Sequence, residues 1–211
     1  MYRVNEIFYS LQGEGRNTGS AAVFVRFAGC NLRCPFCDTD FDDYREMTGD
    51  EIVEEVVAQS AKSKAPKPMV VLTGGEPTLQ VDESLVDLFH RHGYKVAMES
   101  NGTRPAPANL DWLTVSPKVQ AGGTGGWWND GARMPDELKV VFDERTDPET
   151  FLVSPFPRIP TLPNEMLLYL QPCDTGDPQR NAGIIAACVD YIKAHPQWRL
   201  SLQTHKLAHF K

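Results

Sequence analysis

Apolar, β-rich runs recur along the chain at Val4–Tyr9, Ala22–Phe27, Met69–Thr73, Lys95–Ser100, Trp112–Ser116, Leu138–Phe142, Met166–Gln171 and Arg199–Gln203, and most of them end in a motif rich in reactive side chains. "GCNLRCPFC" follows the run at 22–27, "TGGEP" the run at 69–73, and "ESNG" closes 95–100. "SPK" closes 112–116, "QPCD" closes 166–171 and "QTHK" closes 199–203. Strand ends favour Gly, Pro, Ser and Asn because they turn. Turning does not account for Cys, Glu, Lys, Asp and His appearing at one strand end after another. In a parallel barrel these ends converge on one face, where catalysis sits. The pattern therefore predicts an enzyme.

Helical patterns are fewer. "TGDEIVEEVVAQSAK" opens with Thr48 and Glu51 in capping-box spacing and puts Ile52, Val53, Val56 and Val57 on one face. Asp82 caps a second helix striped by Leu85, Leu88, Phe89 and His92. "RNAGIIAACVDYIKAH" gives a third, with Ile184, Ile185, Cys188, Tyr191 and Ile192 inward and Pro196 beyond its end. Strands alternating with helices predict a parallel α/β sheet. Full eight-unit barrels take about 250 residues, more than the 211 present. The expectation is one domain over residues 1–211, folded as a shortened, open (β/α) barrel with few helices.

The net charge of −7 argues against direct nucleic-acid binding, which normally needs a basic surface. No run of apolar residues is long enough for a membrane span, and "MYRVNEIFYSLQGEG" lacks the apolar core of a signal peptide. A cytoplasmic location is expected. There, clustered cysteines are metal ligands or catalysts more often than disulfides.

Cys30, Cys34 and Cys37 are spaced C-x3-C-x2-C. Thiolates suit zinc, copper(I) and iron–sulfur clusters. A structural zinc site closes with four ligands, and Asp38, a histidine, Cys173 or Cys188 could supply the fourth. A four-iron cluster usually takes four cysteines; with three, one iron stays open to a substrate or cofactor. The spacing resembles the signature of the radical S-adenosylmethionine (SAM) superfamily. That resemblance implies a [4Fe-4S] cluster whose open iron is chelated by the amino and carboxylate groups of SAM, with electron transfer breaking a carbon–sulfur bond to give a 5′-deoxyadenosyl radical. "TGGEP" resembles the superfamily motif that binds the SAM amino group. Its glycines allow close backbone approach.

Further stretches narrow the likeness. "IFYSLQGEG", "VFVRFAGCNL", "CDTDF", "TGGEPTLQ", "ESNGT", "VSPK", "ELKVV" and "HPQWRLSLQTHK" resemble the 7-carboxy-7-deazaguanine synthase family across nearly the whole chain. The resemblance implies conversion of 6-carboxy-5,6,7,8-tetrahydropterin to 7-carboxy-7-deazaguanine with loss of ammonia, a step toward queuosine and other deazapurines. It also implies a shortened barrel of the radical SAM type, Mg2+, a homodimer, and an electron donor such as flavodoxin or ferredoxin.

By motif, the resemblance makes Cys30, Cys34 and Cys37 the cluster ligands. It places Phe36, Cys37, Asp38, Gly75, Ser116, Pro117, Lys118, Gln171, Pro172, Cys173 and Asp174 against SAM. Leu11, Gln12, Gly13, Arg26 and Thr73 match substrate-contacting positions, with Glu14 and His205 as further candidates, and Thr39 matches the protein ligand of magnesium. Magnesium seldom has an all-protein cage, so substrate oxygens and water would complete its shell. Arg26 suits the substrate carboxylate, and Gln12 or Glu14 can accept from the pterin's amide and amino edge. "LAHFK" alone follows "QTHK"; the α-carboxylate of Lys211 is expected to reach the pterin pocket, as it can in family members ending this soon after the motif.

Two other functions remain open at this level. One is a radical SAM activase of a glycyl-radical enzyme, against which "LQGEG" and "QTHK" speak. The other is a zinc-binding module without activity. The Ala121–Pro135 stretch, with Trp127 and Trp128 among glycines, is either a lid or a packing patch, and aromatic residues mostly serve burial.

Overall fold

The computed structural model describes residues 1–35, 37, 43–61, 63–118, 133–152 and 165–211. Among them lie nine strands: β1 (Tyr2–Leu11), β2 (Ala21–Phe27), β3 (Arg45–Met47), β4 (Met69–Gly74), β5 (Val96–Ser100), β6 (Trp112–Val115), β7 (Glu137–Phe142), β8 (Leu167–Pro172) and β9 (Trp198–Leu200). The helices are α1 (Gly49–Gln59), α2 (Glu83–Arg91), α3 (Pro178–Ala194) and the short α4 (Thr204–Ala208). All nine strands join one sheet in the order β3-β1-β2-β4-β5-β6-β7-β8-β9. From β2 onward the ladders are parallel, whereas β1 runs antiparallel to both β2 and β3. The order is linear, with β3 and β9 at its two ends, as an open barrel requires.

Side chains alternate across the sheet with the two-residue period of a strand. Val23, Val25 and Phe27 of β2, Val70 and Leu72 of β4, Leu138 and Val140 of β7 and Leu170 of β8 enter the main core. That core is completed by Ile52, Val53 and Val56 of α1, Leu85, Val86 and Phe89 of α2, and Ile184 and Cys188 of α3. On the opposite face, Phe8, Ala22, Phe24, Val71 and Ala97 make a smaller apolar cluster, with the Phe8 and Phe24 rings stacked 5.0 Å apart. Beyond this patch the same alternation places Arg26, Thr73, Glu99, Lys139 and Gln171 on one cavity. Parallel strands buried on both faces usually read as continuous apolar runs. Here the second face turns polar, which marks it as the functional one.

The expected caps are present. Thr48 accepts from the Glu51 N–H while Glu51 accepts from the Thr48 N–H, and Asp82 accepts from the Leu85 N–H. Helix α3 begins two residues before the expected Arg180. Asp177 caps it and Pro178 occupies the first turn, where a missing N–H does no harm. Two elements were not expected. β3 is a three-residue edge strand with one buried side chain, too short for a period to show, and α4 has no buried residue. No helix among the described residues is long and apolar enough to cross a membrane.

Candidate active site

The segment after β1 turns inward across the polar face. The Gly13 carbonyl accepts from the Thr204 N–H (3.0 Å) and hydroxyl (2.9 Å). The Gly15 N–H donates to Ser201 (3.0 Å), which in turn donates to Gln171 (3.1 Å). These bonds join the end of β1 to the segment after β9, where the sheet itself stays open. The glycines are needed here. A Cβ on Gly13 would sit 2.5 Å from His205 Nδ1, and one on Gly15, whose φ is +64°, would sit 2.1 Å from Glu137 Oε1.

This inward segment brings charge into the barrel. Glu14 pairs with the buried Lys139, whose ammonium also lies 3.8 Å from Glu99. Glu99 accepts from Gln12 (2.9 Å) and Thr73 (3.2 Å), and Glu14 accepts from Gln203 (3.0 Å). Burial opposes charge on Glu14, but the Lys139 ammonium outweighs it and holds the carboxyl down at about 2. Burial likewise disfavours the Lys139 ammonium, and Glu14 and Glu99 together raise its pKa above the ordinary lysine value. At Glu137, lower on β7, the Lys139 charge also opposes burial but does not outweigh it. Burial pushes it up to about 7, with the Arg16 N–H bond (2.9 Å) only partly opposing.

The upper rim is built from loops after the strands. The "GC" and "TGGEP" loops are stitched backbone to backbone: the Gly75 N–H donates to Phe27 and the Glu76 N–H to Gly29. A Cβ on Gly75 would lie 2.0 Å from the Gly29 carbonyl oxygen, so only glycine permits this approach. Glu76 is fully buried. It accepts from Thr78, Ser100 and the Asn101 N–H, locking the β4 and β5 loops together. Cys30 accepts from the Leu32 N–H at 3.4 Å. Burial raises the thiols of Cys30 and Cys34, and the Lys118 ammonium opposes this at Cys34. Lys118 itself donates to the Ser116 carbonyl (2.7 Å). Burial, and then the charge of Lys139, lower it to about 8. Across the rim, Asp174 accepts from Lys206 (2.7 Å), Asn181 (2.7 Å) and the Gly176 N–H. The Lys206 bond leads these in keeping its carboxyl well below the usual range.

All of this surrounds one cavity of about 290 Å³. Among the expected site residues, Leu11, Gln12, Gly13, Glu14, Arg26, Cys30, Cys34, Cys37, Thr73, Gly75, Ser116, Lys118, Gln171, Pro172, Cys173, Asp174, His205 and Lys211 line it. Pro117 is buried and does not. Phe36, Asp38, Thr39, Trp127 and Trp128 lie outside the described residues. Arg26 combines two readings: it lines the cavity, and its Nε lies 3.4 Å from Glu6. The Lys211 ammonium also pairs with Glu6 and sits 4.6 Å over the Phe8 ring.

Glu99 and Lys139 lie within the motifs "ESNGT" and "ELKVV", but the sequence gives them no role. Their signal was a charged side chain at an inward position of an otherwise apolar strand. The missing information was the partner, which is distant in the chain.

The donor set fits an iron–sulfur cluster. Cys30, Cys34 and Cys37 are free thiols on the rim of the same cavity. Thiolates are the usual ligands of a four-iron cluster, one to each iron. Residues 24–118, which hold the cysteines, "TGGEP", "ESNG" and "SPK", match the family model of the Radical SAM superfamily. A protein of Bacteroides thetaiotaomicron named 7-carboxy-7-deazaguanine synthase is 46% identical, over 98% of this chain and 97% of its own length. One of the same name from Bradyrhizobium diazoefficiens is 42% identical, over 97% of each. The crystal structure of QueE from Escherichia coli matches with a TM-score of 0.76 at 26% identity, covering 95% of this chain and 93% of that one. With such identity over nearly the whole length of both chains, this chain belongs to the 7-carboxy-7-deazaguanine synthase family of radical SAM enzymes.

Proposed function

We propose that the chain, acting as one domain, converts 6-carboxy-5,6,7,8-tetrahydropterin to 7-carboxy-7-deazaguanine and ammonia, on the way to queuosine or a related deazapurine. The observation that carries this reading is a cavity lined both by the three cysteines and by Gln12, Glu14, Thr73, Glu99 and Lys139. When bound, a [4Fe-4S] cluster on Cys30, Cys34 and Cys37, together with SAM, supplies the radical that removes a hydrogen atom from the substrate. Gly75, Ser116, Lys118, Gln171 and Cys173 line the same cavity as the cysteines and are proposed to hold SAM. Pro117 is buried and, with Phe36 and Asp38, is assigned to the same site by motif. Glu14 and Glu99 accept from the N–H groups of the pterin, while Arg26 attracts its carboxylate. His205 closes the pocket beside Gly13, the Lys211 ammonium lies over the Phe8 ring, and the Lys211 α-carboxylate is proposed to help recognise the pterin. Asp174, saturated by Lys206, Asn181 and Gly176, serves the cofactor side by fixing α4 over the cavity.

The same reading includes Mg2+ on Thr39, a cytoplasmic location, a flavodoxin or ferredoxin as electron donor, and a homodimer. Thr39→Ala is expected to lower turnover by at least roughly 10- to 100-fold, the scale seen when residues that merely support a metal's ligands are lost, while iron content is retained. Activity indifferent to both this substitution and magnesium chelation would remove Thr39 from the reading. The decisive experiment is anaerobic incubation of the reconstituted protein with SAM, a reductant and the carboxytetrahydropterin. 7-Carboxy-7-deazaguanine and ammonia are the expected products; SAM cleavage without any change in the pterin would refute the assignment.

A further inference from the structure

We propose that Lys139 is the positioning residue that sets substrate recognition, by bridging Glu14 and Glu99 so that both face the ligand as fixed, charged acceptors. This rests on the pterin-binding reading above and deepens it. The two carboxylates come from different parts of the chain, one from the segment after β1 and one from β5, and the ammonium of β7 meets both. It is 5% exposed and reaches no bulk water of consequence, so its charge is balanced inside the barrel. Glu14 has one more protein donor, Gln203, and Glu99 has two, Gln12 on Oε1 and Thr73 on Oε2, and both carboxylates still border the cavity. Two ionised acceptors held apart by one cation match a flat heterocycle that presents separated N–H donors, and they disfavour ligands with acceptors at those places.

The groups facing Glu14 and Lys139 are Glu99 of β5, Lys118 after β6, Glu137 of β7 and His205 of α4. With Lys139 removed, burial would act on Glu14 without its main opponent. Its protonation, and loss of an acceptor, would move to higher pH.

The test compares Lys139→Met and Lys139→Arg with the wild-type holoenzyme. In Lys139→Met the KM for the pterin should rise roughly tenfold to a hundredfold, the range expected for losing a charge-assisted bond. The acid limb of kcat/KM should shift to higher pH, with the larger effect on KM than on kcat. Lys139→Arg, which keeps the cation, should restore the wild-type acid limb. A Lys139→Met enzyme with wild-type iron content, KM and pH profile would overturn the proposal, as would Lys139→Arg behaving like Lys139→Met. Should Lys139→Met not fold, the wild-type profile decides. An acid limb above about pH 5, the upper edge of the ordinary Glu range, that Glu14→Gln abolishes would show that Glu14 is not held charged. Failure of the wild-type enzyme to use the pterin at all would strike the functional reading, whereas these outcomes strike only the role of Lys139.

Discussion

Two cysteines separate ligand from packing. Cys34 is part-buried on the cavity rim. Cys188 is fully buried in α3 among core side chains, and burial pushes its thiol up to about 12. Cys34→Ala should give a soluble, iron-poor protein that does not cleave SAM. Cys188→Ala should keep its iron and lose about 1 kcal/mol of stability, the scale of a small core truncation. Iron and sulfide analysis of the two variants checks this, and the reverse outcome would reassign the ligands. Gly15 makes a different residue-scale point. Its φ of +64° and the 2.1 Å approach of Glu137 to its missing Cβ mean that Gly15→Ala adds backbone strain and displaces a buried carboxyl. We expect about 1–3 kcal/mol of destabilisation, together with a raised KM for the pterin because Glu14 is its neighbour. Denaturant unfolding and steady-state kinetics read the two effects. The sequence marked Gly15 only as part of "GEG"; the reason for it is Glu137, 122 positions away by subtraction of the residue numbers.

At the scale of elements, the strands that carry the motifs were legible because one face of each is uniformly apolar: Val70 and Leu72 in β4, Leu138 and Val140 in β7. The other face is where reading stopped. Lys139 in "ELKVVF" and Glu99 in "VAMES" are charges in strands, and nothing local states that they neutralise one another. Helix starts were legible where the cap is a side chain next to its own helix, as with Thr48 and Asp82. Asp177 was missed because the apolar stripe of α3 begins well after its cap, at Ile184. β3 and α4 were invisible for a different reason: tertiary pairing, not periodicity, makes them, through the ladder to β1 and the bonds of Thr204 and Lys206. The Asp82 cap offers a clean test at this scale, since α2 packs on the core face, away from the cavity. Asp82→Ala removes the acceptor of the Leu85 N–H and of the Tyr2 and Ser84 hydroxyls. It should lower stability by about 1 kcal/mol, seen as a reduced Tm, with unchanged KM for the pterin. A change in KM would mean that α2 is coupled to the site.

For the whole molecule, the open barrel concentrates ionisable groups on one inner face, and their opposite shifts divide the pH axis. Glu14 has a folded pKa near 2, below its unfolded value of about 4.3. The stability it contributes is present above that unfolded value and is lost as pH falls toward 2. Glu137 behaves in the other sense. Its folded pKa near 7 lies above the same unfolded value, so between roughly pH 4.3 and 7 the folded protein holds a proton that the unfolded chain releases. Stability must therefore fall as pH rises through this window and level off above it. For one group with these values the change from pH 5 to 7 is about 2 kcal/mol. Glu137→Gln keeps an oxygen for the Arg16 N–H and removes the titration. Unfolding of the wild-type and Glu137→Gln proteins, each reconstituted anaerobically and compared at pH 5 and pH 7, should show the wild type losing about 2 kcal/mol more than the variant over that interval. Equal pH dependence in the two proteins would mean that Glu137 titrates in the fold as it does in the open chain, and that the Gly15 turn shields it far less than its burial implies.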